Sequence, residues 1–152
     1  MEIKVFIDVK TRLGEVPTWD PVRQRLFWVD IFDGRLFSCD EQGKGLKAWE
    51  TLQKIGSYAL RENHNGAIVA LENGLHSLDF DTGDLDFIYH PEPDMPFNRL
   101  NDGGVDRQGR FVFGSMNRME EDKTASLYRL NTDMTVQKLE ENINTSNGIC
   151  WN

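Results

Sequence analysis

With 152 residues, 39% hydrophobic and 28% charged, the chain has room for one ordinary domain or for a piece of a larger one. Nine Phe, four Trp and three Tyr exclude a disordered tail. A formal charge of −8 without any basic stretch excludes a nucleic-acid reader and a partner of anionic membranes.

The first residues, Met1-Glu2-Ile3-Lys4-Val5, carry no basic region followed by a long apolar run. No segment approaches the ~18 apolar residues of a membrane span. Cys39 and Cys150 are too few for a disulfide framework. The expectation is a cytoplasmic protein.

Helical periodicity is nearly absent, and short apolar or alternating runs bounded by turn residues recur instead. Leu26–Ile31 is followed by Asp33-Gly34 and then Arg35–Cys39. Ala67–Leu71 is followed by Asn73-Gly74 and then Leu75–Phe80. Arg110–Gly114 is followed by a longer polar link and then Ser126–Leu130. Asp-Gly and Asn-Gly between such runs signal hairpins, because both residues tolerate positive φ. Polar outer strands are expected at Lys47–Thr51, Leu85–Tyr89 and Val136–Leu139.

The unit repeats after 41 residues (Leu26 to Ala67) and again after 43 (Ala67 to Arg110). Four strands every ~40–50 residues are the pattern of a β-propeller blade. The expected fold is all-β, with blades over about 13–52, 55–93 and 98–143. The first strand of a fourth blade is expected within 145–152, at Gly148–Trp151. A propeller needs ~4–8 blades to close. The whole chain, 1–152, thus reads as a single half of a propeller.

Four segments are expected immediately before the inner strands, at the central channel: Leu13–Pro17, Ser57–Ala59, Asn98–Gly104 and Thr145–Gly148. Strands converge on a propeller axis, so Glu15, Arg99, Asn101, Asp102 and Asn147 are expected to be neighbours. A carboxylate and amide carbonyls suit a hard divalent cation. Arg99 suits a substrate oxygen or carboxylate. The same Asn-Gly and Asp-Gly pairs are also plain turn chemistry. Asp81-Thr82-Gly83 looks like an aspartic-protease tripeptide but lies in a polar turn without a second carboxylate partner. His64, His76 and His90 fall in turn or outer-strand contexts, which disfavours a Ser-His-Asp arrangement.

Leu13-Gly14-Glu15-Val16-Pro17-Thr18-Trp19-Asp20, followed by Arg25–Ile31, resembles the opening of the gluconolactonase / regucalcin (senescence marker protein) / luciferin-regenerating enzyme family. Asn98-Arg99-Leu100-Asn101-Asp102-Gly103 with Gly109-Arg110-Phe111, and Ser146-Asn147-Gly148-Ile149 with Trp151, resemble its later signatures in order and spacing. The resemblance implies a six-bladed propeller, of which 1–152 is the N-terminal half, with one divalent metal ion, Ca²⁺, Zn²⁺, Mn²⁺ or Mg²⁺, and hydrolysis of a sugar lactone. It puts Glu15 and Asn147 at metal-ligand positions and Arg99 and Asn101 at substrate contacts. Glu121, or Glu120 in its stead, would touch sugar hydroxyls. The family's remaining metal ligand is an aspartate, also its usual general base, and it lies beyond residue 152, so no catalytic base is assigned. The partners implied are a sugar lactone and a C-terminal half or second chain that closes the ring. A non-catalytic propeller that binds a cation or a partner, and an inactive fragment, are the alternatives.

Overall fold

The computed structural model describes residues 2–151. In chain order the strands are β1 (Gly14–Asp20), β2 (Arg25–Asp30), β3 (Arg35–Asp40), β4 (Lys47–Glu50), β5 (Ile55–Leu60), β6 (Gly66–Leu71), β7 (Gly74–Asp79), β8 (Leu85–Tyr89), β9 (Asn98–Val105), β10 (Phe111–Asn117), β11 (Ala125–Leu130) and β12 (Val136–Ile143). They form three four-stranded antiparallel meanders, β1–β4, β5–β8 and β9–β12. These are three blades of a β-propeller, and no helix occurs among the described residues.

The blades stack because their middle strands are apolar on both faces. In β2 and the residue after it, Phe27, Val29 and Ile31 point into a shared core with Ile55, Tyr58, Val69, Leu71 and Leu78 of blade 2. The alternate residues Leu26 and Trp28 face the other way, onto Phe37, Cys39 and the N-terminal Ile7 and Val9. A second core joins blades 2 and 3 through Ala70, Leu75, Leu100, Phe111, Phe113 and Tyr128. Two buried faces explain why these strands read as continuous apolar runs rather than as clean alternation. Toward the rim, Phe80 of blade 2 stacks on Phe27 and Trp49 of blade 1, with centroids 5.7 and 4.3 Å apart.

The tight turns fall where the Asp-Gly and Asn-Gly pairs stand. Gly34 has φ +62° and packs so closely on Gln53 that no side chain fits. Four expectations are corrected. The channel segments of the blades do not precede the innermost strands; they form them, as β1, β5 and β9. The last outer strand runs on to Ile143, because its polar, solvent-facing sequence carries no apolar signal of its length. Gly148–Trp151 is not a strand; residues 144–151 hold only an isolated bridge from Thr145 to Met116. A strand exists by pairing, and no ladder partner stands beside Gly148–Trp151 among the described residues. His76 is also relocated: it is buried within β7, the third strand of its blade.

Candidate functional site

Each innermost strand carries an irregularity at the same level. In β1 the register against β2 shifts between Glu15 and Thr18. In β5 it shifts between Ile55 and Ser57, leaving Gly56 extra. In β9, Asn101 and Asp102 lie between the pairs Leu100–Ser115 and Gly103–Phe113. A bulge re-aims side chains and ends regular pairing. The three bulges open side by side, and their residues line one cavity of about 120 Å³ with Glu15, Val16, Gly56, Arg99, Asn101, Asp102 and Asn147 on its walls. The expected neighbours thus share one space.

Local chemistry fixes each wall. Val16 adopts φ +53°, a conformation that a β-branched residue rarely tolerates. The Tyr58 hydroxyl donates to its carbonyl at 3.0 Å and holds it there. Pro17 follows and offers no N–H to the ladder, which suits the break in pairing. Before the bulge, buried Asp30 accepts from the N–H groups of Arg12 and Leu13 at 2.8 and 3.2 Å, anchoring the approach to Glu15. Glu15 itself is exposed at the cavity mouth.

Across the cavity, Asn101 is buried. Its Nδ2 donates to Ser146 O at 2.9 Å, and its Oδ1 accepts from Arg99 Nη1 at 3.0 Å. Ser57 Oγ donates to Asn101 O at 2.7 Å. A Cβ on Gly56 would fall on the Asn101 backbone, so only glycine lets β5 approach β9 this closely. Arg99 is 8% exposed and makes no ion pair among the described residues. Burial weakens its hold on its proton, with Glu72 opposing and Arg118 adding to that effect. A buried guanidinium without a direct ion pair beside an open cavity is suited to an incoming oxygen ligand.

Asp102 has a different task. Its Oδ2 accepts from the N–H groups of Gly148 and Ile149 at 2.6 and 3.3 Å, and its Oδ1 from Gly103 N–H at 2.8 Å. It ties the segment bearing Asn147 to blade 3. Its carboxylate is therefore occupied by backbone donors. Glu120 and Glu121 are exposed on the β10–β11 link, and neither lines the cavity.

The oxygen donors on the cavity walls are the Glu15 carboxylate, the backbone-tied Asp102 carboxylate, and the side-chain amides of Asn147 and Asn101, the last with its Oδ1 taken by Arg99. Hard oxygen donors fit a divalent cation of the Ca²⁺, Mg²⁺ or Mn²⁺ type. They do not complete a shell of ~6–8 oxygens. No group of three His, Cys, Asp or Glu side chains forms a cluster among the described residues. The expected channel segments Ser57–Ala59 and Thr145–Gly148 already contain Tyr58 and Ser146, though not their roles as supports, and stop one residue short of Gly56.

A family model for the SMP-30/gluconolactonase/LRE-like region matches residues 13–152. The chain belongs to that family. Among the relatives of this SMP-30/gluconolactonase/LRE-like chain, a curated L-arabinolactonase of Azospirillum brasilense is 35% identical, over 89% of this chain and 45% of its own length. A solved luciferin-regenerating enzyme superposes with a TM-score of 0.86 at 29% identity, covering 93% of this chain and 50% of that one. Regucalcin of Agrobacterium tumefaciens, described as a calcium-binding protein, gives 0.80 at 27%, covering 89% and 45%. The chain spans about half the length of the curated relatives it matches.

Proposed function

We propose that this chain is the N-terminal half of a divalent-metal-dependent sugar-lactone hydrolase. The convergence of Glu15, Arg99, Asn101 and Asn147 on one small cavity carries the reading. The likeness to L-arabinolactonase supports the substrate class, and the likeness to a calcium-binding regucalcin supports the cation. Glu15 and Asn147 would hold the metal, which supplies Lewis-acid polarisation of a carbonyl. Arg99 presents its free donors to the lactone oxygens, and Asn101 fixes the Arg99 fork against the strand. Neither Glu120 nor Glu121 reaches the cavity in this arrangement, so their contact with the sugar would require the β10–β11 link to fold inward. The general base is supplied from outside residues 1–152, by the segments that complete the ring. The two cysteines are free, which suits a reducing cytoplasm.

The test is hydrolysis of an aldonolactone panel by the chain joined to a family C-terminal half. Turnover above the spontaneous rate, lost on chelation and in Arg99→Ala, is the expected result. A second reading, a cation-binding propeller without turnover, has the calcium-binding relative in its favour. Metal-dependent stabilisation of the joined protein without hydrolysis of any lactone would select it.

A further inference from the structure

The chain contains three Asn-Gly pairs, Asn65-Gly66, Asn73-Gly74 and Asn147-Gly148. An asparagine side-chain amide can be attacked by the backbone nitrogen of the next residue, and glycine there carries no Cβ to hinder the ring that forms. The fold closes two of the pairs to this chemistry. Gly66 and Gly74 are the buried first residues of β6 and β7, and a Cβ on either would run into a backbone carbonyl, that of Leu78 or of Tyr89. The third pair is open. Asn147 and Gly148 are both exposed, and a Cβ on Gly148 would meet nothing within 4 Å.

Its geometry also brings the reacting groups together. Gly148 N–H donates to Asn147 Oδ1 at 3.1 Å, so the side-chain amide folds over the nitrogen that would attack it. The same N–H donates to Asp102 Oδ2 at 2.6 Å. That carboxylate is held in place by two further backbone donors, Ile149 N–H at 3.3 Å and Gly103 N–H at 2.8 Å. In a β-ladder an N–H faces a carbonyl, which cannot take its proton. Here it faces a carboxylate, which can. A nucleophile poised beside its target and beside a base has the two ordinary sources of acceleration.

We propose that Asn147-Gly148 is a self-modifying site, at which the folded chain deamidates Asn147 with the help of Asp102. The Gly148 N–H proton passes to Asp102 as Gly148 N bonds to Asn147 Cγ. The Cγ–Nδ2 bond then breaks, the nitrogen leaves as ammonia with that proton, and a succinimide ring remains. Water opens the ring at either of its carbonyls and leaves aspartate or isoaspartate at position 147; no other reactant is needed. Asn147 lines the channel cavity together with Glu15, so the product alters that cavity. Aspartate adds a second exposed carboxylate to its wall. Isoaspartate adds a carbon to the main chain and displaces the oxygen donor. The reaction is one of the chain with itself and does not rest on the hydrolase reading.

The experiment holds the folded chain at neutral pH and follows all three Asn-Gly pairs by mass spectrometry of their peptides, with succinimide and isoaspartate quantified alongside. Asn147 is expected to convert about tenfold faster than Asn65 and Asn73, an advantage that positioning alone can supply. It should also convert faster than it does in urea, where the three pairs converge. Asp102→Asn, which keeps one acceptor oxygen, should slow Asn147 by about tenfold; a carboxylate is a weak base toward an amide N–H and falls short of the ~10²–10⁴ of a matched one. Matching melting curves verify that this variant folds, and the comparison of folded chain with urea needs no variant. Conversion of Asn147 no faster in the folded chain than in urea, an unchanged rate in folded Asp102→Asn, or a product free of both succinimide and isoaspartate overturns the proposal.

Discussion

Val16 concentrates the tension of the cavity in one residue. Its left-handed backbone would relax if nothing held it, and Tyr58 supplies the hold through a single hydroxyl. Burial of Tyr58 raises the pKa of that hydroxyl, so it stays a donor throughout the ordinary pH range. Tyr58→Phe keeps the ring in the core and removes only the bond. The expected cost is about 1 kcal/mol of stability in urea unfolding, together with loss of any metal-dependent stabilisation. An unchanged metal response would mean that the bulge does not aim Glu15. A second single-residue effect is electrostatic. Asp106 caps the β9–β10 turn, and the Arg110 side chain, with Nε 2.7 Å from Oδ2, holds its carboxyl below the usual range. The unfolded chain therefore takes up this proton first, near pH ~3.9. The stability contributed by Asp106 is full above that pH and drains away as pH falls through the lower folded value. Melting temperature against pH should fall less steeply below pH ~4 in Asp106→Asn than in the parent.

At the scale of elements, the blades were legible and the bulges were not. Leu26–Ile31, Ala67–Leu71 and the two tight turns announce themselves locally, because core burial and positive φ act on neighbouring residues. A bulge is a property of two strands, and its partner residues lie roughly ten to fifteen positions away in these hairpins. The gathering of Glu15, Arg99, Asn101 and Asn147 was readable from blade periodicity. The support of that cavity by Gly56 was not, since it depends on how closely blades 2 and 3 approach, and that by Ser146 depends on how the segment after β12 folds back onto blade 3. Gly56→Ala tests this approach. Its methyl group meets the Asn101 backbone, so β5 and β9 must separate at a cost of about 1–3 kcal/mol. Gly104→Ala meets only ordinary contacts at 3.8 Å and serves as the control. Equal urea midpoints for the two variants would remove the claim of tight packing at the cavity floor.

At the scale of the whole molecule, three blades present two faces that a closed ring would cover. Trp28 and Phe37 on blade 1 are screened by Ile7 and Val9, and Trp19, Val105 and Trp151 remain substantially exposed. A family C-terminal half supplied in trans is expected to co-purify with this chain and to raise its melting temperature; separate elution without any gain would show that the faces do not accept it. The central claim, however, is that the three bulges build a divalent-cation site from Glu15 and Asn147. Titration with Mn²⁺, read by loss of the free-ion electron paramagnetic resonance signal, tests it most directly. The account predicts one saturable site in the parent chain, displaced by Ca²⁺ and abolished in both Glu15→Gln and Asn147→Ala. Saturable binding that survives both substitutions, or no binding to either the chain or its completed ring, would contradict it.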